Sequence, residues 1–419
     1  MTNTKPSILI VGINFFPEPT GVGKYTSEMA FYLGQNDHQV KVVTGFPYYP
    51  AWKVFPGYKN LFYKTEKINN VSVTRCPLYV PASLSGLKRM MQDFSFFSTS
   101  LVYVMGLMLR GRRYDVVFVA SPSFMSGFVG SFYRFIYRKT KFVYHIQDLQ
   151  VDAAEELGMI KSSLLLKILK RSEGFILKKA SWVSTISLGM QKKIKDKPFP
   201  IKREYLFPNW VDFSNIFAKP VDAEKIRPLG FPLDKEMVFY SGAVGEKQGL
   251  EMVLAIAKKA LSALPGLVYV ISGSGPYVGV LQKHAADQNL SNLFFIDLQP
   301  LDIFNELLNH AFIHLVIQKG KASDLLLPSK LTNILAVGGL CIVTAAAGTS
   351  LCDIVDGNQL GVVIPPEDPR AFWNALNDCC TYHDRAQVLK ANARSFAEKN
   401  LRKENVINAF ISELNDNYI

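Results

Sequence analysis

The sequence predicts an α/β protein made of two doubly wound, Rossmann-like domains. Three observations carry this prediction. Short β-rich runs alternate with helix-length segments, as expected of parallel strands covered on both faces. The alternation pauses after Pro208, in a stretch holding Pro220, Pro228, Gly230 and Pro232, and then restarts. The chain of 419 residues also exceeds the roughly 250 to 300 at which one hydrophobic core stops growing.

In order along the first half, Ile8 to Gly12 reads as a strand, followed by a helix from Lys24, and Gln39 to Thr44 reads as the next strand. Leu61 to Lys67 and Val71 to Arg75 read as a hairpin through Asn69 and Asn70. From Phe94 to Leu109 the chain is mostly apolar over about 16 residues, short of the roughly 20 needed to span a bilayer, so a buried helix or a monotopic anchor is expected. Asp115 to Ala120 is a strand with a helix near Phe124, Lys141 to Ile146 a strand with a helix from Ser162, and Trp182 to Ile186 a further strand.

After the pause, Met237 to Ser241, Leu267 to Ser272, Leu293 to Ile296, Phe312 to Ile317 and Leu340 to Thr344 are strands. Helices at Leu250 to Leu261, Val278 to Asn289 and Asp302 to Asn309 alternate with them, and helical segments from Pro369 to Glu398 close the domain. The expected division is 1–208 for the first domain, 209–398 for the second, and a C-terminal helix within 399–419 that returns to the first. Two such sheets facing each other would set two ligand crevices across one cleft, at the carboxyl ends of their strands.

A hydrophobic content of 48% excludes disorder. The net charge of +12 is unevenly placed: residues 1–205 hold 29 Lys and Arg against 13 Asp and Glu, and the remainder 18 against 22. The basic half mixes cations with large apolar residues, as in Arg134, Arg138, Lys139 and Lys141 around Phe132, Tyr133, Phe135 and Tyr137. That mixture suits an anionic membrane surface, and no nucleic-acid-binding pattern accompanies it. The apolar run near the N-terminus is too short for a secretory signal, so a cytoplasmic protein peripheral to the inner membrane is expected. Five cysteines without paired spacing point to reduced thiols and to no metal site.

Segments that carry chemistry follow the strands. Residues 324–344 combine a loop, a helix opened by Pro328 and Ser329, a Gly338-Gly339 stop and a buried strand, which aims backbone N–H groups at an anion. Gly21 and Gly23, after the first strand, let backbone approach a ligand at the start of a helix, and their spacing is not the GxGxxG of nicotinamide binding. Gly242 and Lys247 follow the first strand of the second domain, where Lys247 places a compact positive charge beside a phosphate. Gly273 and Gly275 repeat the design one unit later. His145, Asp148 and Asp152 sit at the end of a strand, where polar side chains face the crevice, and Asn209 lies at the domain junction.

These motifs, taken in order, resemble the retaining glycosyltransferases of family 4, which have the GT-B fold, and most closely those of colanic-acid and exopolysaccharide biosynthesis. The resemblance covers nearly the whole chain. It rests on Phe-Phe-Pro-Glu-Pro-Thr-Gly-Val-Gly-Lys-Tyr from Phe15, His-Ile-Gln-Asp-Leu-Gln-Val-Asp-Ala-Ala from His145, Pro-Asn-Trp-Val-Asp from Pro208, Tyr-Ser-Gly-Ala-Val-Gly-Glu-Lys-Gln-Gly-Leu-Glu from Tyr240, and Leu-Pro-Ser-Lys-Leu-Thr-Asn-Ile-Leu-Ala-Val-Gly-Gly from Leu327. It implies transfer of a sugar, with retention and without a metal or cofactor, from a nucleotide-sugar donor such as GDP-fucose to a polyprenyl-diphosphate-linked glycan acceptor.

By position, the resemblance makes His145, Asp148 and Lys247 catalytic. Gly21, Gly23, Gly242, Lys247, Gly273, Gly275, Ser329, Lys330 and Asn333 would hold the donor, and Asp152 and Asn209 would lie on the acceptor side. Two positions depart from the family pattern: Ala243 stands where many members have arginine, and Asn333 where many have the second of two glutamates. Lys330 is the expected substitute charge. A UDP-sugar transferase, a 2-epimerase of the same fold and a sugar-nucleotide-binding scaffold without turnover are the alternatives.

Overall fold

The computed structural model describes residues 5–19, 21–83, 85–156, 162–320 and 328–415. The chain divides into two units, Met1–Phe207 and Pro208–Ile419.

The first unit contains, in order, β1 (Ile8–Gly12), α1 (Gly21–Gln35), β2 (Val40–Gly45), β3 (Lys64–Ile68), β4 (Val71–Cys76), α2 (Gly86–Leu109), β5 (Val116–Ser121), α3 (Ser126–Ile136), β6 (Lys141–Ile146), α4 (Gln150–Glu156), α5 (Ser163–Lys179), β7 (Trp182–Thr185), α6 (Leu188–Lys195) and β8 (Glu204–Leu206). Its sheet runs β3-β4-β2-β1-β5-β6-β7-β8. Every pairing is parallel except β3 with β4. Every residue of β1, β2 and β5 is buried, and β1 and β5 read as nearly continuous apolar runs, while β2 buries Lys41 by donating its amine to the Ser72 and Thr74 hydroxyls. The β3–β4 hairpin turns through Asn69 (φ 46) and Asn70 (φ 65), as their residue types require.

The helix α2 differs from its expectation. Ser85 caps it, accepting from the Lys88 amide at 3.3 Å, so the helix begins before the apolar run and spans 24 residues. Gln92, Phe96, Ser100 and Val104, four residues apart, form one buried stripe, while Leu87, Met91, Phe94, Val102, Met105 and Leu109 are exposed. It is therefore a surface helix with a second apolar face, not a buried one. Among the described residues no helix is long and apolar enough to cross a membrane.

The second unit contains α7 (Ala223–Ile226), β9 (Glu236–Ala243), α8 (Glu251–Ala263), β10 (Leu267–Ser274), α9 (Val278–Asp287), β11 (Leu293–Ile296), α10 (Leu301–His310), β12 (Ala311–Val316), α11 (Ser329–Val337), β13 (Cys341–Thr344), α12 (Ser350–Gly357), β14 (Val362–Ile364), α13 (Pro369–Thr381), α14 (His383–Asn400) and α15 (Lys403–Asn415). A parallel sheet in the order β11-β10-β9-β12-β13-β14 separates two apolar clusters. The three-residue strands β8 and β14 escape sequence reading because so few residues define no period. The C-terminal α15 groups with this unit, where the Lys403 amine meets the Asp212 carboxylate at 2.7 Å and the Val211 amide donates to the Leu401 carbonyl at 2.7 Å.

In both sheets the direction of winding reverses once, between β1 and β5 and between β9 and β12. Loops diverge at the carboxyl ends of those strands, and the divergence leaves a crevice in each unit.

Candidate functional site

In the second unit the crevice is framed by the ends of β9, β10 and β12 and by the first turn of α11. Gly242 has φ +129, a conformation that side-chain-bearing residues rarely adopt, so the chain can leave β9 at this angle only with glycine. The Lys330 amine sits over the Tyr240 ring at 3.9 Å from its centroid and 3.4 Å from where a Cβ on Gly242 would be. The ring's negative face attracts the cation. Lys330 is half-buried, and burial pushes its amine down to about 7, with no described carboxylate offsetting the loss of water. An anion entering here would restore its charge.

Lys247 lies in a single 3-10 turn, Glu246–Gln248, with its side chain exposed. Its carbonyl accepts from the Lys319 amide at 3.1 Å, so the loops after β9 and β12 are tied together at the switch point and bring Lys319 to the same edge. Sequence reasoning overlooked Lys319, although a Gln-Lys-Gly sequence directly after a strand carries the same signal as Lys247. Ser329 opens α11, and Asn333 follows Lys330 by one turn and is half-buried. Residues 321–327, the loop of the 324–344 segment, lie outside the described residues.

Gly273 and Gly275 sit where the turns after β9 and β10 meet. A Cβ on Gly273 would lie 2.1 Å from the Gly242 carbonyl oxygen, and one on Gly275 2.1 Å from that of Val244. The two turns pack backbone against backbone, and their glycines exist for that contact. Asn209, in the same unit, is half-buried.

In the first unit the loop after β1 folds over its strand end. Glu18 is buried and accepts from the Tyr48 and Tyr49 amides at 2.9 Å each and from the Asn14 side chain at 2.8 Å. Burial raises its pKa, and these hydrogen bonds and Arg75 oppose the rise. Gly23 is confined by this carboxylate, since a Cβ there would meet Glu18 Oε2 at 3.1 Å. Gly21 has φ +64 and open space around it, and it begins α1 three residues before the expected start. Thr20, between the two prolines and Gly21, lies outside the described residues. Glu18 was missed by sequence reasoning although it stands inside the Pro-Glu-Pro of the quoted motif.

The fold gives His145, Asp148 and Asp152 three different surroundings. His145 is buried between the Phe118 and Phe207 rings, with Nδ1 2.9 Å from Ser184 Oγ. Loss of water pushes it down to about 3, so the ring is neutral near physiological pH. Asp152 on α4 is committed to Lys197 at 2.6 Å, which also holds Glu173 at 2.5 Å. That triad ties α4 and α5 to the end of α6, and it holds Asp152, the residue expected on the acceptor side, in an ion pair. Asp148 is exposed at the end of β6.

On another face of this unit, α2, α3 and α5 leave a groove of about 790 Å³ whose apolar lining includes Phe97, Leu101, Phe128, Phe132, Phe135 and Phe175. Arg134, Arg138, Lys179 and Lys202 line it as well.

Comparison with known proteins matches the glycosyl transferase 4-like domain to residues 20–210 and the glycosyl transferases group 1 domain to residues 221–396. A relative named for colanic acid biosynthesis, the glycosyl transferase WcaI of Escherichia coli K12, is 37% identical over 97% of this chain and 99% of its own. Among solved structures, sucrose-phosphate synthase from Thermosynechococcus elongatus superposes with a TM-score of 0.72 at 16% identity, over 98% of this chain and 99% of the other. HepE of Anabaena, in complex with UDP and glucose, gives 0.70 at 13% identity over 98% and 99%. The structural likenesses concern the fold.

Proposed function

The chain belongs to the glycosyltransferases of the 4-like and group 1 type, with the GT-B fold, and from that premise we propose the reaction it performs. It moves a sugar from a nucleotide diphosphate to a hydroxyl of a lipid-linked glycan during assembly of an exopolysaccharide of the colanic-acid kind, with retention and without a metal. The observation that carries this reading is Lys330, a half-buried amine without a described carboxylate beside it, held against Gly242 at the switch point of the second sheet. A site with a desolvated cation at a helix N-terminus is suited to a diphosphate.

The chemistry follows from charge. As the bond from the anomeric carbon to the diphosphate breaks, negative charge grows on the phosphate oxygens, and groups already aimed at them stabilise that change more than the ground state. Lys330 supplies the buried charge that Ala243 lacks, Lys247 and Lys319 supply exposed charge at the rim, and Asn333 hydrogen-bonds ribose or sugar. The leaving phosphate takes the acceptor proton, which is why a neutral, buried His145 is no obstacle. His145 then packs against the Phe118 and Phe207 rings rather than carrying a proton.

The donor read from the resemblance is a GDP-sugar such as GDP-fucose. HepE holds UDP and glucose, so a UDP-sugar is the second reading. The apolar groove with its four cations, together with the exposed face of α2, supports docking of the first unit on an anionic bilayer that carries the acceptor.

A thermal-shift screen of GDP- and UDP-sugars tests the donor site. Stabilisation by one nucleotide class, lost in Lys330→Met, is expected. Equal shifts in wild type and Lys330→Met would remove Lys330 from the site, and no shift with any nucleotide sugar would overturn the reading.

A further inference from the structure

The loop from Phe46 to Tyr58, between β2 and β3, and the first turns of α2 bring together side chains that the donor chemistry does not use. Trp52 takes φ +54, a left-handed conformation that a bulky residue adopts only when its surroundings hold it there. Its ring lies 5.6 Å from Tyr48 and 6.2 Å from Tyr49, and the Arg89 guanidinium stands 5.2 Å from its centroid. Trp52 remains half-buried and Arg89 exposed, so the assembly has an open side.

One turn further along α2, Asp93 sits beside Ser123. Loss of water pushes its carboxyl up to about 7, with Ser123 and Arg89 opposing the rise. Ser123 is fully buried beside this carboxyl. A carboxyl offers about four acceptor sites over its two oxygens, so one neighbouring hydroxyl leaves room for further donors. The Tyr48 amide donates to Glu18 at 2.9 Å, which ties this loop to the loop after β1.

The arrangement combines an aromatic platform, a planar cation and a carboxyl beside a hydroxyl, carried by the loops that follow β2 and β5 and by the first turns of α2. Aromatic faces take the apolar side of a pyranose ring, while carboxylate, guanidinium and hydroxyl groups take its ring of hydroxyls. We propose that Trp52, Arg89, Asp93 and Ser123 form the subsite that recognises a pyranose of the glycan acceptor. This rests on the transferase reading, in which the acceptor is a carbohydrate. Trp52 supplies the stacking surface, and Asp93 with Arg89 selects the hydroxyl pattern.

The test uses the full chain and four probes, the methyl pyranosides of glucose, galactose, mannose and fucose, titrated by saturation-transfer NMR. At least one is expected to bind saturably at millimolar concentration. Trp52→Ala and Asp93→Asn should each weaken it about tenfold or more, Trp52→Phe should retain most of it, and the Asp93 contribution should vary with pH around neutrality. Identical titrations in wild type and Trp52→Ala, or no saturable binding of any of the four, would overturn the subsite. Binding of GDP- and UDP-sugars to the same preparations reports the second unit and confirms folding. Intact nucleotide binding with pyranoside binding indifferent to Trp52 overturns the subsite alone, whereas failure of every nucleotide sugar to bind overturns the transferase reading.

Discussion

Donor binding should be linked to proton uptake at Lys330. In the free protein burial pushes this amine down to about 7, and a diphosphate beside it would return it toward the ordinary lysine range, about 10.4. The protonated form is the one that pairs with the anion. Affinity is therefore full below pH 7 and declines as pH rises through that value, since each further unit requires a proton from a scarcer supply. Between pH 6 and pH 8 the loss is about tenfold, or roughly 1.4 kcal/mol. Both phosphates of a nucleotide sugar are diesters, ionised throughout this range, so the slope belongs to the protein.

Isothermal titration with GDP-fucose and UDP-glucose measures it. Repeating the titration at pH 8 in buffers of different ionisation enthalpy should reveal uptake of nearly one proton. Lys330→Arg, always charged, should bind without uptake, and Lys330→Met should bind weakly and without the slope. A flat affinity from pH 6 to 8.5, or the same slope in Lys330→Met, would refute the assignment of the charge to Lys330. The sign for folding also follows. The folded pKa lies below the unfolded one, so the unfolded chain binds more protons between about pH 7 and 10, and this group's contribution to stability rises with pH across that window. Lys330→Met should stabilise the ligand-free protein at pH 6 more than at pH 9, by a difference on the order of 2 kcal/mol.

Lys197→Met, which strands Glu173 and Asp152, should lower stability by about 3 kcal/mol in urea unfolding followed by first-unit signals; a change under 1 kcal/mol would show the triad to be solvated. Gly273→Ala, with its 2.1 Å clash against the Gly242 carbonyl, should disrupt the second unit and abolish nucleotide binding, whereas Gly21→Ala, in open space at φ +64, should cost only about 1 to 2 kcal/mol. Comparable losses in the two variants would contradict the packing role assigned to Gly273. Wild-type protein should float with phosphatidylglycerol vesicles at low salt, and reversing Arg134 and Arg138 to glutamate should weaken this by at least tenfold, at roughly 1 kcal/mol for each cation removed. Flotation insensitive to that change or to salt would place the membrane contact elsewhere.

The sequence by itself determined the two parallel sheets, because a strand buried on both faces announces itself locally as a short apolar run between turn residues. It also located the loops after β1, β6, β9 and β10 and the start of α11, since glycines and lone charges at strand ends are visible without neighbours. The roles of those residues were decided only by tertiary structure. Gly273 and Gly275 look the same in sequence as Gly242, and what separates them is whether a carbonyl from another turn stands 2.1 Å away. Asp152 reads in sequence as one more carboxylate at a strand end until Lys197, 45 residues on, pairs with it. Lys330 is distinguished from other lysines, and Trp52 with Asp93 becomes a candidate subsite, through burial and through contacts with residues distant in the chain. Charge and ring chemistry are written in the residue. The desolvation that shifts a pKa and the surface a ring presents belong to the surroundings, which form only when the chain folds.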